Sequence, residues 1–198
     1  PNVVLVKGNM IKSTFHSHSR FDDGLEEPEA YIKSALAKGF GVFGFSAHAP
    51  LIFETDWNMK LEDFDEYLQT TWELKEKYKD FIQIYTGLEA DYYPKCIDWR
   101  NKSGIDYTIG AVHFIQNEET GFYMPIDGSR SEFEYTLRDG YNNDVRALFR
   151  AYFGKIREML MKMPPNIVAH LDVIRKNNAG DFYFKEDDEV YQSEVLKT

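Results

Sequence analysis

The five histidines of this 198-residue chain follow short apolar runs, and a glutamate does the same. His16 and His18 form an H-x-H pair after the first run, and Glu89 follows the third. The other imidazoles each follow a run of their own: His48, His113 and His170. Imidazole nitrogen and carboxylate oxygen are ligands for transition-metal cations, and a set without thiolate suits Zn, Mn or Fe better than a structural zinc cage.

We interpret the apolar runs as strands of one parallel sheet, because they alternate with longer amphipathic segments in the pattern of repeated β-α units. The carboxyl ends of parallel strands lie on one side of a sheet, so side chains from distant parts of the sequence should meet there. Alternate residues of a strand point the same way, which would let both imidazoles of the H-x-H pair reach one cation. The sequence therefore predicts an α/β fold whose sheet edge gathers one or two cations around His16, His18, Glu89, His113 and His170.

A structural role for these histidines is the alternative. One histidine at a strand end is more often a hydrogen-bonded structural residue than a ligand. Five at the same edge, together with a glutamate, are hard to explain by structural need, and this favours the metal site. Asp23, in the loop after the H-x-H pair, is a further candidate oxygen ligand, although Asp-Asp-Gly is also a good turn sequence.

The elements that must position these residues can be read from the same sequence. Strands are predicted at 11–15, 41–45, 81–87, 107–112 and 167–169. A helix should begin at Pro28 and end near Gly39. Helical spacing predicts a second helix whose core face carries Leu61, Phe64, Leu68 and Trp72.

The remaining segments are less regular. We expect a short helical piece with Cys96 and Trp99, and a long surface loop at 116–128. Asn142 or Asn143 should cap a helix that runs to about Met163, and an acidic first turn should open a last helix after Lys185.

The end of the chain suggests that a C-terminal part is missing. The last predicted helix has no stop signal, and five strands cannot close a β/α barrel. We therefore expect this form to bind fewer metal ions, and to act more slowly, than one extended by further β-α units.

Composition narrows the class of protein. The net charge of −10 argues against binding to nucleic acid or to anionic membranes, whereas a small phosphorylated substrate stays compatible if bound metal reverses the local charge. The apolar stretches fall far short of the roughly 18 residues that span a bilayer, so we expect a cytoplasmic protein. The single cysteine, Cys96, excludes an internal disulfide and is expected to be a small buried residue. The sequence does not indicate an oligomeric state.

The ordered set of local sequences resembles the PHP (polymerase and histidinol phosphatase) class along the whole chain, and most of all its histidinol-phosphate phosphatases. The matching segments are Phe15-His16-Ser17-His18, Asp23-Gly24, Ser46-Ala47-His48-Ala49-Pro50, Gly87-Leu88-Glu89-Ala90-Asp91-Tyr92, Ala111-Val112-His113-Phe114 and Ala169-His170-Leu171-Asp172. The resemblance implies one PHP domain over 1–198. Its fold would be a distorted (β/α)7 barrel, incomplete at the C-terminus, with residues 1–9 as an extension.

The resemblance also implies two or three divalent metal ions. His16, His18 and Glu89 would hold the first ion, and Glu89, His113 and His170 the second. Asp23 and His48 would form part of a third site. A late Asp-x-His motif that completes the first and third sites in the family has no counterpart here, and Ala47 stands where many relatives have an acidic residue.

The function implied is hydrolysis of L-histidinol phosphate to L-histidinol and phosphate in histidine biosynthesis. Arg175 would grip the phosphate, although a surface salt bridge explains this residue equally well from the sequence; the arginine at the similar position of related phosphatases favours the substrate role. Asp172 is a candidate proton donor. The alternatives are a PHP phosphoesterase acting on another phosphomonoester or nucleotide, and a non-catalytic module stabilised by metal.

Overall fold

The computed structural model describes residues 12–117 and 120–198. Residues 1–11, with the predicted extension at 1–9, lie outside the described residues. The strands are β1 (Lys12–Thr14), β2 (Phe40–His48), β3 (Gln83–Asp91), β4 (Tyr107–Ala111), β5 (Phe114–Gln116), β6 (Tyr123–Pro125) and β7 (Ile167–Val168). The helices are α1 (Pro28–Ala37), α2 (Phe64–Tyr78), α3 (Arg130–Tyr135), α4 (Val145–Lys162) and α5 (Glu189–Lys197).

A five-stranded sheet runs in the order β1-β2-β3-β4-β7. Its first three strands pair in parallel, with helices α1 and α2 as the connections between them. Such crossovers are typical of α/β folds, and the fold class predicted from the sequence is confirmed. Among the described helices, none combines the length and the apolar character needed to cross a bilayer.

The described residues form two compact units, one of residues 12–90 and 97–109 and the other of 91–96, 110–117 and 120–198. In the first unit, α1 packs its buried side chains Pro28, Ile32 and Ala35 at the spacing of one helix face. The predicted start at Pro28 is confirmed, and Gly39 follows the helix with a φ of 74°, a conformation that suits glycine.

Helix α2 exists as predicted, but its buried face is different. Phe64, Tyr67, Thr71 and Leu74 are buried, whereas Trp72 is 57% exposed. Leu61 lies in a 3-10 turn before the helix and is 65% exposed, so the expectation that both side chains face the core was wrong. Tyr67 explains the shift, because its hydroxyl donates a 2.6 Å hydrogen bond to the carbonyl of Gly87 and this satisfies a polar group in the core.

Three irregular segments also differ from the prediction. The segment with Cys96 and Trp99 consists of turns rather than a helix, and Cys96 is only half-buried. The expected long loop at 116–128 contains β6, which pairs antiparallel with β5. Asp144, whose carboxylate accepts bonds from two backbone N–H groups, caps α4, because Asn142 and Asn143 adopt positive φ angles.

The second unit is built around the long helix α4. Its buried residues recur at helical spacing, and they are Leu148, Phe149, Tyr152, Phe153, Ile156 and Met159. Tyr191 of α5 packs edge-on against the rings of Phe149 and Phe153. Arg157 and Glu194 add an ion pair of 2.7 Å between the same two helices.

Tyr107 fills a space that two glycines leave open in the first unit. A Cβ at Gly44 would lie 2.4 Å from the Tyr107 hydroxyl oxygen, and one at Gly87 would lie 2.4 Å from the carbon that bears it. The hydroxyl of Tyr107 lies 2.6 Å from the carbonyl of Phe15 and 2.8 Å from that of Phe45, within donor distance of both. The side chain thereby ties the segment before His16 to β2.

We expect Gly87→Ala to lower the free energy of unfolding by about 1–3 kcal/mol, because the added methyl group would collide with a buried aromatic ring. Urea denaturation measures this change. Gly154→Ala is the control, since a Cβ there has its nearest neighbour 3.8 Å away, and alanine within α4 should raise stability by about 0.5–1 kcal/mol. Equal effects of the two substitutions would contradict the close packing of Tyr107.

Candidate metal centre

The H-x-H pair lies after the first strand and not within it. β1 ends at Thr14, one residue before the predicted end of this strand at 15, so His16 and His18 belong to the segment that follows the strand. Serine side chains reinforce a backbone bond from the N–H of Ser46 to the carbonyl of Ser17: the Ser17 hydroxyl donates to the carbonyl of Gly44, and the Ser46 hydroxyl accepts from the N–H of Ser17. The segment stays fixed against β2 beyond the end of β1, which holds both imidazoles at the carboxyl side of the sheet.

His48 and Glu89 lie inside longer strands than predicted. His48 is the last residue of β2, and Glu89 lies two residues before the end of β3. The two residues are direct register partners in this parallel pair. Their side chains therefore leave the sheet side by side.

Three imidazoles surround one carboxylate oxygen of Glu89 in the first unit. The Nε2 atom of His16 and the Nδ1 atom of His48 each lie 3.2 Å from Glu89 Oε2, and the Nε2 atom of His18 lies 3.6 Å from it. The Nε2 atoms of His16 and His18 are 3.0 Å apart. Glu89 itself is 1% exposed, so its carboxylate is shielded from bulk water and its charge must be offset inside the protein.

Asp22, which the sequence analysis did not single out, is the buried carboxylate of this loop. Its Oδ2 atom lies 2.6 Å from Nδ1 of His18 and accepts a 2.9 Å bond from the backbone N–H of His48. Asp23, the predicted ligand, is half exposed, with Oδ1 3.5 Å from His18 Nδ1 and 3.9 Å from His48 Nε2. Adjacent aspartates look alike in a sequence, and only the turn decides which one points inward.

The carboxylates also affect protonation of His18. Burial by itself lowers the pKa of His18, but the hydrogen bond with Asp22 and the charges of Asp22, Glu89 and Asp23 outweigh it. The pKa of His18 therefore lies above its usual value.

Aromatic contacts also hold the histidine rings in place. The ring of His18 packs at a tilt against that of His48, with centroids 4.4 Å apart, and Trp57 meets the His48 ring edge-on at 4.6 Å.

The second unit contains the other two histidines. His113 comes two residues after β4 and His170 two residues after β7, and their Nε2 atoms are 3.2 Å apart. Both oxygens of Asp91 lie within 3.0 Å of Nδ1 of His113, and one of them accepts from its backbone N–H. Asp91 belongs to one of the sequence segments that resemble the PHP class, which implied no role for it. In the structure its carboxylate contacts the His113 ring.

Arg175 is engaged in ion pairs in the second unit. Its guanidinium lies 2.8 Å from Asp172 Oδ2 and also contacts Glu186. The side chain is 40% exposed. Two carboxylates therefore hold the Arg175 guanidinium in place, and one of them belongs to Asp172, the candidate proton donor.

The donor atoms fit a divalent metal ion. Two nitrogens bound at about 2.0–2.1 Å to a tetrahedral cation lie roughly 3.3 Å apart. The donor atoms of His16, His18 and Glu89 are separated by 3.0–3.6 Å, and the two Nε2 atoms of the second unit by 3.2 Å. His18, Asp22, Asp23 and His48 offer a further compact group of donors.

The chain matches one known protein family over most of its length. The model of the PHP domain matches residues 14–196. The chain belongs to the PHP-domain family. The histidinol-phosphatase of Lactococcus lactis is 28% identical over 189 residues, which are 84% of this chain and 67% of that protein. A Schizosaccharomyces pombe protein named "Probable histidinol-phosphatase" is 29% identical over 160 residues, 74% of this chain and 50% of its own length.

Solved structures show the same fold. The crystal structure of a candidate histidinol phosphatase from Listeria monocytogenes matches with a TM-score of 0.77 at 18% identity, covering 94% of this chain and 76% of that one. The Lactococcus lactis histidinol phosphate phosphatase, complexed with zinc, L-histidinol and phosphate, matches with a TM-score of 0.57 at 24% identity, covering 83% and 59%. This PHP-family chain spans about half the length of the first curated relatives, 50% and 55%.

We expect Zn²⁺ to raise the thermal unfolding midpoint of this PHP domain by roughly 5–10 °C at a hundredfold excess over its dissociation constant, because only the folded state gathers the donors. Differential scanning calorimetry with Zn²⁺ and with a chelator measures the shift. His16→Asn should reduce it, since one of the donors around Glu89 is lost. Mg²⁺ serves as the control ion, because a nitrogen-rich set disfavours it, and an equal shift with Mg²⁺ would contradict the assignment.

Proposed function

We propose that this chain carries the metal centre of a metal-dependent phosphomonoesterase that hydrolyses L-histidinol phosphate to L-histidinol and phosphate. The proposal rests on the three imidazoles of His16, His18 and His48, which surround the buried carboxylate of Glu89. The names of the relatives supply the substrate, and the zinc, L-histidinol and phosphate bound to the Lactococcus lactis protein agree with the metal and the substrate class.

The metal ions would be held by imidazole nitrogens and carboxylate oxygens of this chain. We assign His16, His18 and Glu89 to one ion, and His113 and His170 to another. Asp23 and His48 are assigned to a third. The catalytic set would be His16, His18, Glu89, His113 and His170. Zn, Mn or Fe suits the nitrogen and oxygen atoms of all these ligands. Bound divalent ions supply a nucleophile near neutral pH and offset the charge of the phosphoryl oxygens.

Glu89 has a distinct task within this set. Its negative charge is buried and lies between nitrogen donors, so it attracts a cation into a site where neutral imidazoles alone would provide no charge. A glutamine would keep the volume and lose the charge. The cation affinity should therefore depend on Glu89 more than on any single imidazole.

The substrate test measures phosphate release by the full-length protein, loaded with Zn²⁺, Mn²⁺ or Fe²⁺, from L-histidinol phosphate, p-nitrophenyl phosphate and nucleoside monophosphates. We expect the highest kcat/KM with L-histidinol phosphate. A higher value for another ester would support the alternative PHP phosphoesterase. Zinc binding without release from any ester would support the non-catalytic module.

Glu89→Gln should lower kcat more than about 100-fold while the fold is kept, because the charge that holds the cation is lost. Phosphate release and circular dichroism measure the two properties. Glu62→Gln is the matched control, since Glu62 is exposed and lies in the turn before α2. Near-normal turnover of Glu89→Gln would rule out the assigned role.

Arg175→Lys should raise KM for L-histidinol phosphate about 10- to 100-fold with little change in kcat, because a lysine cannot bind phosphate through two parallel N–H donors. Steady-state kinetics measure the split. Arg146→Lys is the control, because Arg146 is an exposed arginine in an ion pair with Asp188. If Arg175 serves only its ion pairs, KM stays unchanged and unfolding shifts by at most about 1 kcal/mol.

A further inference from the structure

The same arrangement of a buried aspartate and a histidine is present in both units. In the first unit, Asp22 contacts Nδ1 of His18 at 2.6 Å. In the second unit, Asp91 contacts Nδ1 of His113 at 2.9 and 3.0 Å. The side chains of the two aspartates are 0% and 3% exposed. In both cases the opposite nitrogen, Nε2, faces the Nε2 atom of a second histidine.

Backbone donors fix both carboxylates independently of the histidine rings. The N–H of Ser19 bonds Oδ1 of Asp22 at 2.8 Å, and the N–H of His48 bonds Oδ2 at 2.9 Å. The N–H of His113 bonds Oδ1 of Asp91 at 2.9 Å. These bonds fix the direction of both carboxylates, whose oxygens accept hydrogen bonds and cannot donate them.

An ionised carboxylate decides which ring nitrogen carries the proton. A neutral imidazole next to it must place its single N–H on Nδ1, and the lone pair then stays on Nε2. Nε2 is the atom that faces the second histidine in both units. Without the aspartate, a neutral histidine is free to protonate Nε2, and that tautomer cannot bind a cation through Nε2.

We propose that Asp22 and Asp91 are positioning residues that hold His18 and His113 in the Nδ1–H tautomer and keep their Nε2 lone pairs directed to the metal. The inference rests on the metal binding that we propose for these histidines, but not on the substrate or the reaction. A purely structural role predicts a different result. If Asp22 only closed the turn from Ser19, its loss would weaken the fold and leave the tautomer of His18 as it was.

The first experiment needs no substitution. Long-range proton–nitrogen correlation spectra of the full chain, stripped of metal with a chelator at a pH where both rings are neutral, identify the protonated nitrogen of each histidine. We expect Nδ1–H for His18 and for His113. A proton on Nε2 of either ring would overturn the proposal for that pair, whatever the protein's activity.

The second experiment uses Asp22→Ala and Asp91→Ala, each of which serves as the internal control for the other. Asp22→Ala should release the tautomer of His18 and leave that of His113 unchanged, and Asp91→Ala should do the reverse. Each variant should bind Zn²⁺ about 10- to 100-fold more weakly, measured by competition with a chromophoric chelator.

Asp80→Ala controls for the loss of a negative charge, because Asp80 is an exposed carboxylate after α2. Zn²⁺ binding by Asp22→Ala as tight as that of Asp80→Ala would overturn the proposal, as would weaker binding with an unchanged His18 tautomer. If an alanine variant fails to fold, the spectrum of the unsubstituted chain decides the question alone. An active enzyme is not required, so failure of the proposed reaction and failure of this inference are separate results.

Discussion

The buried carboxylate of Glu89 is the constraint on which the first unit depends. A negative charge that is 1% exposed must be offset inside the protein, and the three imidazole nitrogens beside it place that charge where a bound cation would lie. The imidazoles can meet Glu89 only because β2 and β3 pair in a register that sets His48 beside it. Close contact of Tyr107 with Gly44 and Gly87 in turn holds these strands and the segment before the H-x-H pair in place.

Much of the fold could be predicted from periodicity because burial leaves a direct trace in the sequence. The fully buried strand β4 was predicted as an apolar run, and α4 was predicted as a helix that runs to about Met163, one residue beyond its last residue Lys162. Details that depend on single polar contacts could not be predicted in the same way. The buried face of α2 depends on the hydroxyl of Tyr67, and the cap of α4 depends on the backbone angles of Asn142 and Asn143.

The candidate site shows the same division. The sequence indicated which strand ends carry donors, and the structure groups His16, His18, His48 and Glu89 in one unit and His113 and His170 in the other. The sequence could not distinguish the roles of Asp22 and Asp23, because neighbouring aspartates differ only in the direction that the turn gives to their side chains. Asp91 was equally hidden, since its contact with His113 joins two strands that are separate in sequence.

The side-by-side placement of His48 and Glu89 limits how the length of this chain can vary in evolution. Side chains alternate between the two faces of a strand, so one residue inserted between Gly87 and Glu89 would turn the carboxylate to the opposite face. The crossover segments that contain α1 and α2 carry no such restriction, because a longer loop costs little free energy. Insertions and deletions should therefore collect in the crossovers, while the spacing within each strand stays constant among proteins that keep this centre.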